Sequence, residues 1–370
     1  MLYRSYEPNT AYFNRAFGYI NAMSENGIAA TMCFFWPNAK KDKVDREYPY
    51  ITFRYYWEAL PQGRISKYIS YVWAIQRFFS QLRDGDIVYV YNMQDILSFL
   101  IRKKGIKVFH EVTEHPSVYK LGTRLHFVSL SNYLKLCRKL DGLFVISTAL
   151  RDFFIQQGVN RDRITIVNMT VDPSRFEGLN KLSIERYIAY CGTVSNNKDG
   201  VDQLIKAFSI VVSKYPDVKL YIIGSIPSFE EQKGNIHLIE ELGLQKSVVL
   251  TGMVQASEMP QLLKNAEVLA LARPDNLQAK FGFPTKLGEY LLTENPVVVT
   301  KVGDIPLFLE DRISALLCEP GNVSAFADSL KWALSHKDKA RIIGKNGAVV
   351  AKVRFNSYTE SKKLISALKI

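Results

Sequence analysis

Lys286 and Glu289 stand three residues apart in the run FGFPTKLGEY (281–290), and no other stretch of the chain is so suggestive of chemistry. The Gly- and Pro-containing run predicts a loop entering a short helix, with both side chains on one helical face. A helix N-terminus offers unpaired N–H groups and a positive dipole end, and so attracts phosphate. A lysine in the first turn opposes that dipole, which is poor helix design but good anion-binding design. Glu289, one turn on, could accept hydrogen bonds from two ribose hydroxyls. Together they suggest a nucleoside diphosphate held by its phosphates at the helix end and by its sugar one turn deeper. An ordinary loop–helix–strand connection with a surface lysine and glutamate explains the same residues equally well.

A second polar cluster ends the run KVFHEVTEHP (107–116), where His110, Glu111, Thr113, Glu114 and His115 close an apolar strand. Ligands of parallel sheets bind beyond the carboxyl ends of the strands, which makes Glu114 and His115 candidates to orient a hydroxyl or accept its proton. A solvated strand end with a proline stop is the plainer alternative. His110, inside the strand, reads as a packed or hydrogen-bonded residue.

The elements that must position these groups alternate throughout. In the first half, apolar strand-like runs at 29–36, 51–57, 87–91, 107–112, 143–146 and 164–168 are interleaved with helical spacing at 11–23, 65–82, 95–102, 130–140 and 148–157. The second half places strands at 187–191, 219–223, 247–251, 268–271, 297–300 and 315–318. Helices fall at 201–214, 229–242, 259–265, 285–293, 323–335 and 337–354. Such alternation predicts an α/β protein with two doubly wound, Rossmann-like domains. The polar stretch 172–185 is the expected boundary, giving domains 1–175 and 176–354 and a terminal segment 355–370.

Composition limits the partners. A chain of 370 residues exceeds one ordinary core, and 47% hydrophobic with 23% charged residues is an ordinary globular balance. No apolar run reaches membrane-spanning length, and the opening MLYRSYEPNT lacks the basic-then-apolar pattern of a signal peptide. Cys33, Cys137, Cys191 and Cys318 are far apart, without metal or redox spacing. A cytoplasmic setting is expected. Residues 1–175 hold 24 basic against 15 acidic residues, a balance of +9; the remainder, with 24 against 21, carries +3 of the +12 total. Anionic partners are therefore plausible for the first half.

Several second-half segments fall in a familiar order: Tyr190-Cys191-Gly192-Thr193, Lys198, Gly200-Val201, Tyr221–Gly224, Gly243-Leu244, 248–252, 266–271 with Arg273, the run around Lys286, Gly303-Asp304 and Pro320-Gly321-Asn322. The ordered set resembles the nucleotide-binding domain of the retaining family-4 glycosyltransferases, which have the two-domain GT-B fold. The resemblance implies two domains facing across a cleft, with the acceptor on the first and the nucleotide sugar on the second. It implies that Gly192 lets the backbone approach the donor diphosphate and that Lys198 neutralises it. Where the family usually has arginine after the glycine, this chain has Thr193, and Lys286 is implied to supply the charge. Glu289 matches the second glutamate of the family's Glu-x7-Glu motif, which grips the ribose; the first falls on Phe281. Arg273, Asn276, Pro284 and Thr285 are implied to line the same loop, and Gly224 and Val254 to pack the base. Asn9 and Arg15, in and after the N-terminal loop, are implied to approach the donor phosphates. The last helix, 358–368, is implied to pack back across the junction.

The expected activity is transfer of a sugar from a nucleoside diphosphate, UDP before GDP, to a hydroxyl of a glycan or lipid-linked saccharide, in surface polysaccharide synthesis. Neither metal nor other cofactor is expected: Asp84-Gly85-Asp86 resembles the Asp-x-Asp metal motif of the other large glycosyltransferase fold but precedes a strand and reads as a turn. Basic amphipathic segments at 65–79 and 124–139 raise peripheral contact with a membrane's inner face, although core-facing stripes explain the same pattern. A nucleotide-sugar 2-epimerase or hydrolase, and a non-catalytic binding protein, are the alternatives. Nucleic-acid binding ranks last, and no Gly-x-Gly-x-x-Gly follows a strand to suggest a dehydrogenase.

Overall fold

The computed structural model describes residues 1–4, 10–36, 44, 47–56, 63–118, 129–226 and 228–369. Asn9, one of the expected donor contacts, and the 124–128 part of the second basic segment lie outside the described residues. The chain divides into two compact units, Met1–Asn168 with Ser357–Ile370, and Met169–Asn356.

The first unit contains the strands β1 (Leu2–Tyr3), β2 (Ala30–Phe34), β3 (Ile51–Tyr55), β4 (Ile87–Tyr91), β5 (Lys107–Val112), β6 (Gly142–Val145) and β7 (Ile164–Ile166). All pairings are parallel, in the order β3-β2-β1-β4-β5-β6-β7. The central strands β4, β5 and β6 are buried almost end to end, as sheets covered on both faces require. The two-residue β1, too short for any periodicity signal, was not expected from the sequence. The predicted helix at 95–102 is instead a 3₁₀ turn, Gln94–Ile96, running into the single helical turn Leu97–Leu100.

The second unit contains β8 (Tyr187–Cys191), β9 (Lys219–Ile223), β10 (Val248–Gly252), β11 (Val268–Leu271), β12 (Val297–Thr300) and β13 (Leu316–Cys318). These too are all parallel, ordered β10-β9-β8-β11-β12-β13. The division between units differs from the expected 175/176 and 354/355. Residues 169–175 join the second unit because Val171 bridges to Asn356 and, with Met169, packs on Gly288. Helix Ser357–Leu368 belongs to the first unit, where Gly18 of helix Ala11–Glu25 lets Ser357 approach closely.

Arg15, expected to approach donor phosphates, is a core residue. It is 3% exposed, and its guanidinium pairs with Glu111 at 2.6 Å and donates to the carbonyls of Val167 (2.6 Å) and Asn168. Glu111 also accepts from the hydroxyls of Tyr19 (2.9 Å) and Tyr89. Burial works against the Arg15 charge, but Glu111 overrides it and holds the guanidinium pKa above its usual value. The bond to Asn168 continues the network, since the Asn168 amide donates to Glu360 at 2.7 Å. The whole arrangement fastens helices Ala11–Glu25 and Ser357–Leu368 to the end of the sheet.

Two predictions follow from these buried groups. Glu111→Gln leaves Arg15 without its counter-charge, and the folded state should lose about 3–5 kcal/mol in urea unfolding; an unchanged midpoint would remove Arg15 from the core ion pair. His110 is fully buried, its Nδ1 facing the Val90 carbonyl and its Nε2 the Tyr133 hydroxyl, each at 2.9 Å. A carbonyl only accepts, so Nδ1 carries the proton and Tyr133 donates to Nε2. Burial pushes the imidazole down to about 4 from its usual 6.5. The unfolded histidine therefore binds a proton before the folded one does. Its contribution to stability is full above pH 6.5 and is lost as the pH falls toward 4. His110→Gln should flatten the pH dependence of the unfolding free energy over that window, and a curve parallel to wild type would assign the slope to other groups.

Candidate functional site

In the second sheet the strand order reverses between β8 and β11, and the segments leaving those two strands form a polar cluster. That switch point is where open parallel sheets bind ligands. Three close approaches build it. The Tyr290 hydroxyl accepts from the Cys191 amide at 2.6 Å and donates to the Cys191 carbonyl at 3.1 Å, fixing the end of β8. Gly192 follows with φ +148°, and a Cβ there would overlap the Lys286 ammonium. Gly224, φ +136°, lies so close to the Gly192 carbonyl that any side chain would strike backbone. The latter contact accounts for Gly224 without a nucleotide base.

Lys286 is placed by helix Thr285–Leu292, whose first turn follows the buried Pro284. Its ammonium pairs with Asp199, lies 3.0 Å from the Tyr190 hydroxyl and sits over the Tyr190 ring at 4.5 Å. Asp199, 2% exposed, ends the short helix Asn196–Asp199 and also accepts from Tyr190 at 2.8 Å. Arg273, equally buried, follows β11; its Nε is 3.7 Å from Asp199 and donates to the Lys198 carbonyl at 3.2 Å. Burial raises the Asp199 pKa, and Lys286 and Arg273 more than reverse that, leaving it below the ordinary carboxylate value. Burial lowers Lys286 in turn, with Asp199 only partly restoring it. Two cations, Lys286 and Arg273, thus stand against the one Asp199 carboxylate.

The other expected residues fall as follows. Lys198 contributes its backbone carbonyl to this cluster, accepting from the Arg273 Nε. Asn276 caps helix Leu277–Phe281 by accepting from the Ala279 amide at 2.9 Å and donates to the Asn197 carbonyl at 2.6 Å. Thr285 opens the Lys286 helix, and Phe281, where the family has its first glutamate, ends the preceding one. Val254 is half-buried in the loop after β10. Glu289 is half-buried and paired with Arg175, whose Nη2 lies 3.4 Å from the Ala256 carbonyl. Glu114 and His115 follow β5 in the first unit, both half-buried. The His115 Nδ1 is 2.7 Å from the Ser117 hydroxyl, and its ring meets Phe153 edge-on at 4.5 Å.

Asp199, Tyr190, Tyr290 and Arg175 went unrecognised in the sequence. Tyr190 and Tyr290 lie in a strand and a helix where aromatic residues read as core. Asp199 adjoins the lysine that drew attention instead. Arg175 is 114 residues from Glu289 and offers no local signal. Among the described residues there is no group of three or more His, Cys, Asp or Glu side chains able to hold a metal ion, and no helix long and apolar enough to cross a membrane.

Two parallel, Rossmann-like units in one chain define the GT-B architecture. Crystallised Anabaena HepE in complex with UDP-glucose superposes on it with a TM-score of 0.74 at 19% identity, covering 100% of this chain and 98% of that one, a likeness of fold. Residues 185–336, the greater part of the second unit, match the family model described as Glycosyl transferases group 1. Among curated relatives, the D-inositol 3-phosphate glycosyltransferase of Corynebacterium urealyticum is 27% identical over 184 residues, 49% of this chain and 42% of that protein. The capsular polysaccharide biosynthesis glycosyltransferase CapM of Staphylococcus aureus is 26% identical over 170 residues, 46% and 42% respectively. The matches thus span less than half the length of these relatives.

Asp199→Asn should leave Lys286 and Arg273 without their shared counter-charge and destabilise the fold by about 3–5 kcal/mol. Adding Lys286→Met should recover part of that loss. Equal unfolding midpoints for wild type and Asp199→Asn would show that the three charges are not coupled.

Proposed function

We propose that this chain is a retaining glycosyltransferase that moves a sugar from a nucleoside diphosphate sugar to a hydroxyl of a glycan or lipid-linked saccharide. The observation that carries the reading is the two-cation, one-carboxylate cluster at the β8–β11 switch point, inside the segment that matches the glycosyltransferase family model. In the transfer, the bond from the sugar's anomeric carbon to the diphosphate oxygen breaks and one to the acceptor oxygen forms. The acceptor's proton is released, with Glu114 and His115 as the first unit's candidates to receive it. Charge then accumulates on the departing diphosphate. Lys286 and Arg273 would meet that charge in surroundings already short of water, where a fixed cation is worth most. Protein cations and helix N–H groups would do this without a metal ion.

Glu289 would accept the ribose hydroxyls once it leaves Arg175. UDP is the proposed nucleotide, a choice supported by the UDP-glucose in the HepE structure. Synthesis of a surface polysaccharide, supported by the CapM likeness, is the proposed setting. A lipid-linked acceptor would bring the chain into peripheral contact with the cytoplasmic membrane face.

Thermal unfolding with UDP, GDP and ADP, each with magnesium and with EDTA, tests the reading. At about one hundred times its dissociation constant, the correct nucleotide adds about 2.7 kcal/mol of stability. UDP alone should raise the melting temperature, equally with and without metal; no shift with any nucleotide would count against the donor site. Glu289→Ala should weaken UDP binding by about 10- to 100-fold, the worth of charged hydrogen bonds. Unchanged affinity would remove Glu289 from ribose recognition.

A further inference from the structure

The first unit carries an apolar row turned away from its own core. Helix Arg64–Gln81 buries Tyr71, Ala74 and Phe78 against the unit. On the opposite side Ile65, Ile69 and Trp73, spaced i, i+4, i+8, are 78%, 51% and 66% exposed. That spacing places them in one line along the helix. Core packing therefore accounts for one stripe of this helix and leaves the other unexplained.

The charge on the helix itself has one sign. The helix contains Arg64, Lys67 and Arg77 and no acidic residue. Arg77 is exposed on one flank. Past the C-terminal half, the Lys103 ammonium reaches the Phe79 carbonyl at 3.4 Å and so brings Arg102, Lys103 and Lys104 alongside. Phe99, 58% exposed and edge-on to Phe79 at 6.4 Å, extends the apolar surface toward those cations. Toward the C-terminus the next acidic residues, Asp84 and Asp86, lie beyond the helix end, and Asp86 accepts from the Arg83 amide; on the N-terminal side Glu58 lies outside the described residues.

We propose that this face, with Ile65, Ile69 and Trp73 inserted and Arg77 and Arg102–Lys104 on the headgroups, docks the first unit on an anionic lipid surface. A helix of this kind lies in the membrane interface because apolar insertion and headgroup attraction act on the same edge. Tryptophan suits the boundary, with an apolar ring and one N–H donor. A protein partner would need acidic groups placed to match; a lipid surface supplies negative charge everywhere. The proposal supplies a place for the membrane contact of the proposed function and rests on that reading for its purpose, while its physics is independent of any sugar transfer.

Sedimentation of the full chain with vesicles of phosphatidylcholine alone, and with about one-third phosphatidylglycerol, tests it. The chain should bind the anionic vesicles and release from them at about 0.5 M salt, where headgroup attraction is screened. Ile69→Ser with Trp73→Ser should weaken that binding about tenfold, and Arg77→Glu should weaken it while leaving the melting temperature in place. The variants' UDP-induced thermal shift is measured in parallel. Absence of vesicle binding alongside an intact UDP shift overturns the docking face and leaves the proposed function standing. So does a wild-type chain that dimerises, fails to bind vesicles, and becomes monomeric with the double serine substitution, because a second copy then covers the row.

Discussion

Everything at the switch point of the second sheet depends on one buried carboxylate. Asp199 is 2% exposed, and desolvation alone would favour its neutral form. It stays ionised because Lys286 and Arg273 converge on it, and Lys286 can do so because Gly192 leaves room for its ammonium while Gly224 lets the Gly192 backbone take that position. The glycines, the carboxylate and the cations form one condition rather than three. A Cβ at Gly192 would displace the ammonium and leave the buried carboxylate only Arg273 as counter-charge.

The first unit uses the same chemistry to a different end. Arg15 and Glu111 are also a buried pair beside a parallel sheet, yet its surplus bonding capacity is spent internally, on two backbone carbonyls and two tyrosine hydroxyls. Glu111 meets one cation; Asp199 meets two. A pair with matched charges and spent donors is structural. A cluster with an extra cation near the strand ends has electrostatic capacity left for an anion. The proposed donor site rests on that difference in surroundings.

The sequence disclosed the fold well, because parallel strands buried on both faces become short Val- and Ile-rich runs and the intervening helices keep their own period. The elements that escaped have five residues or fewer, among them β1, the helical turns Asn196–Asp199 and Ile305–Phe308, and the helix Leu277–Phe281. The site was legible where its parts are local. Lys286 and Glu289 share one helix, and Gly192 ends a strand. It was illegible where the chemistry joins distant segments. Arg15 looked like a surface cation in a first helical turn because nothing nearby reveals Glu111, 96 residues on. Asp199, next to the lysine that drew attention, was passed over because its partners Lys286 and Arg273 lie far along the chain.

Departures from the family pattern gain a physical sense from the same geometry. Thr193 stands where arginine is usual, and Phe281 where the first glutamate is usual. Losing a cation and losing a carboxylate offset one another in net charge. Arg273 and Lys286 restore positive charge from the β11 end and from the helix start, while Asp199 restores a negative one from beneath. Lys286 from a helix start and Arg273 from the end of β11 thus meet Asp199 from a third segment, because the switch point brings all three backbones to one place.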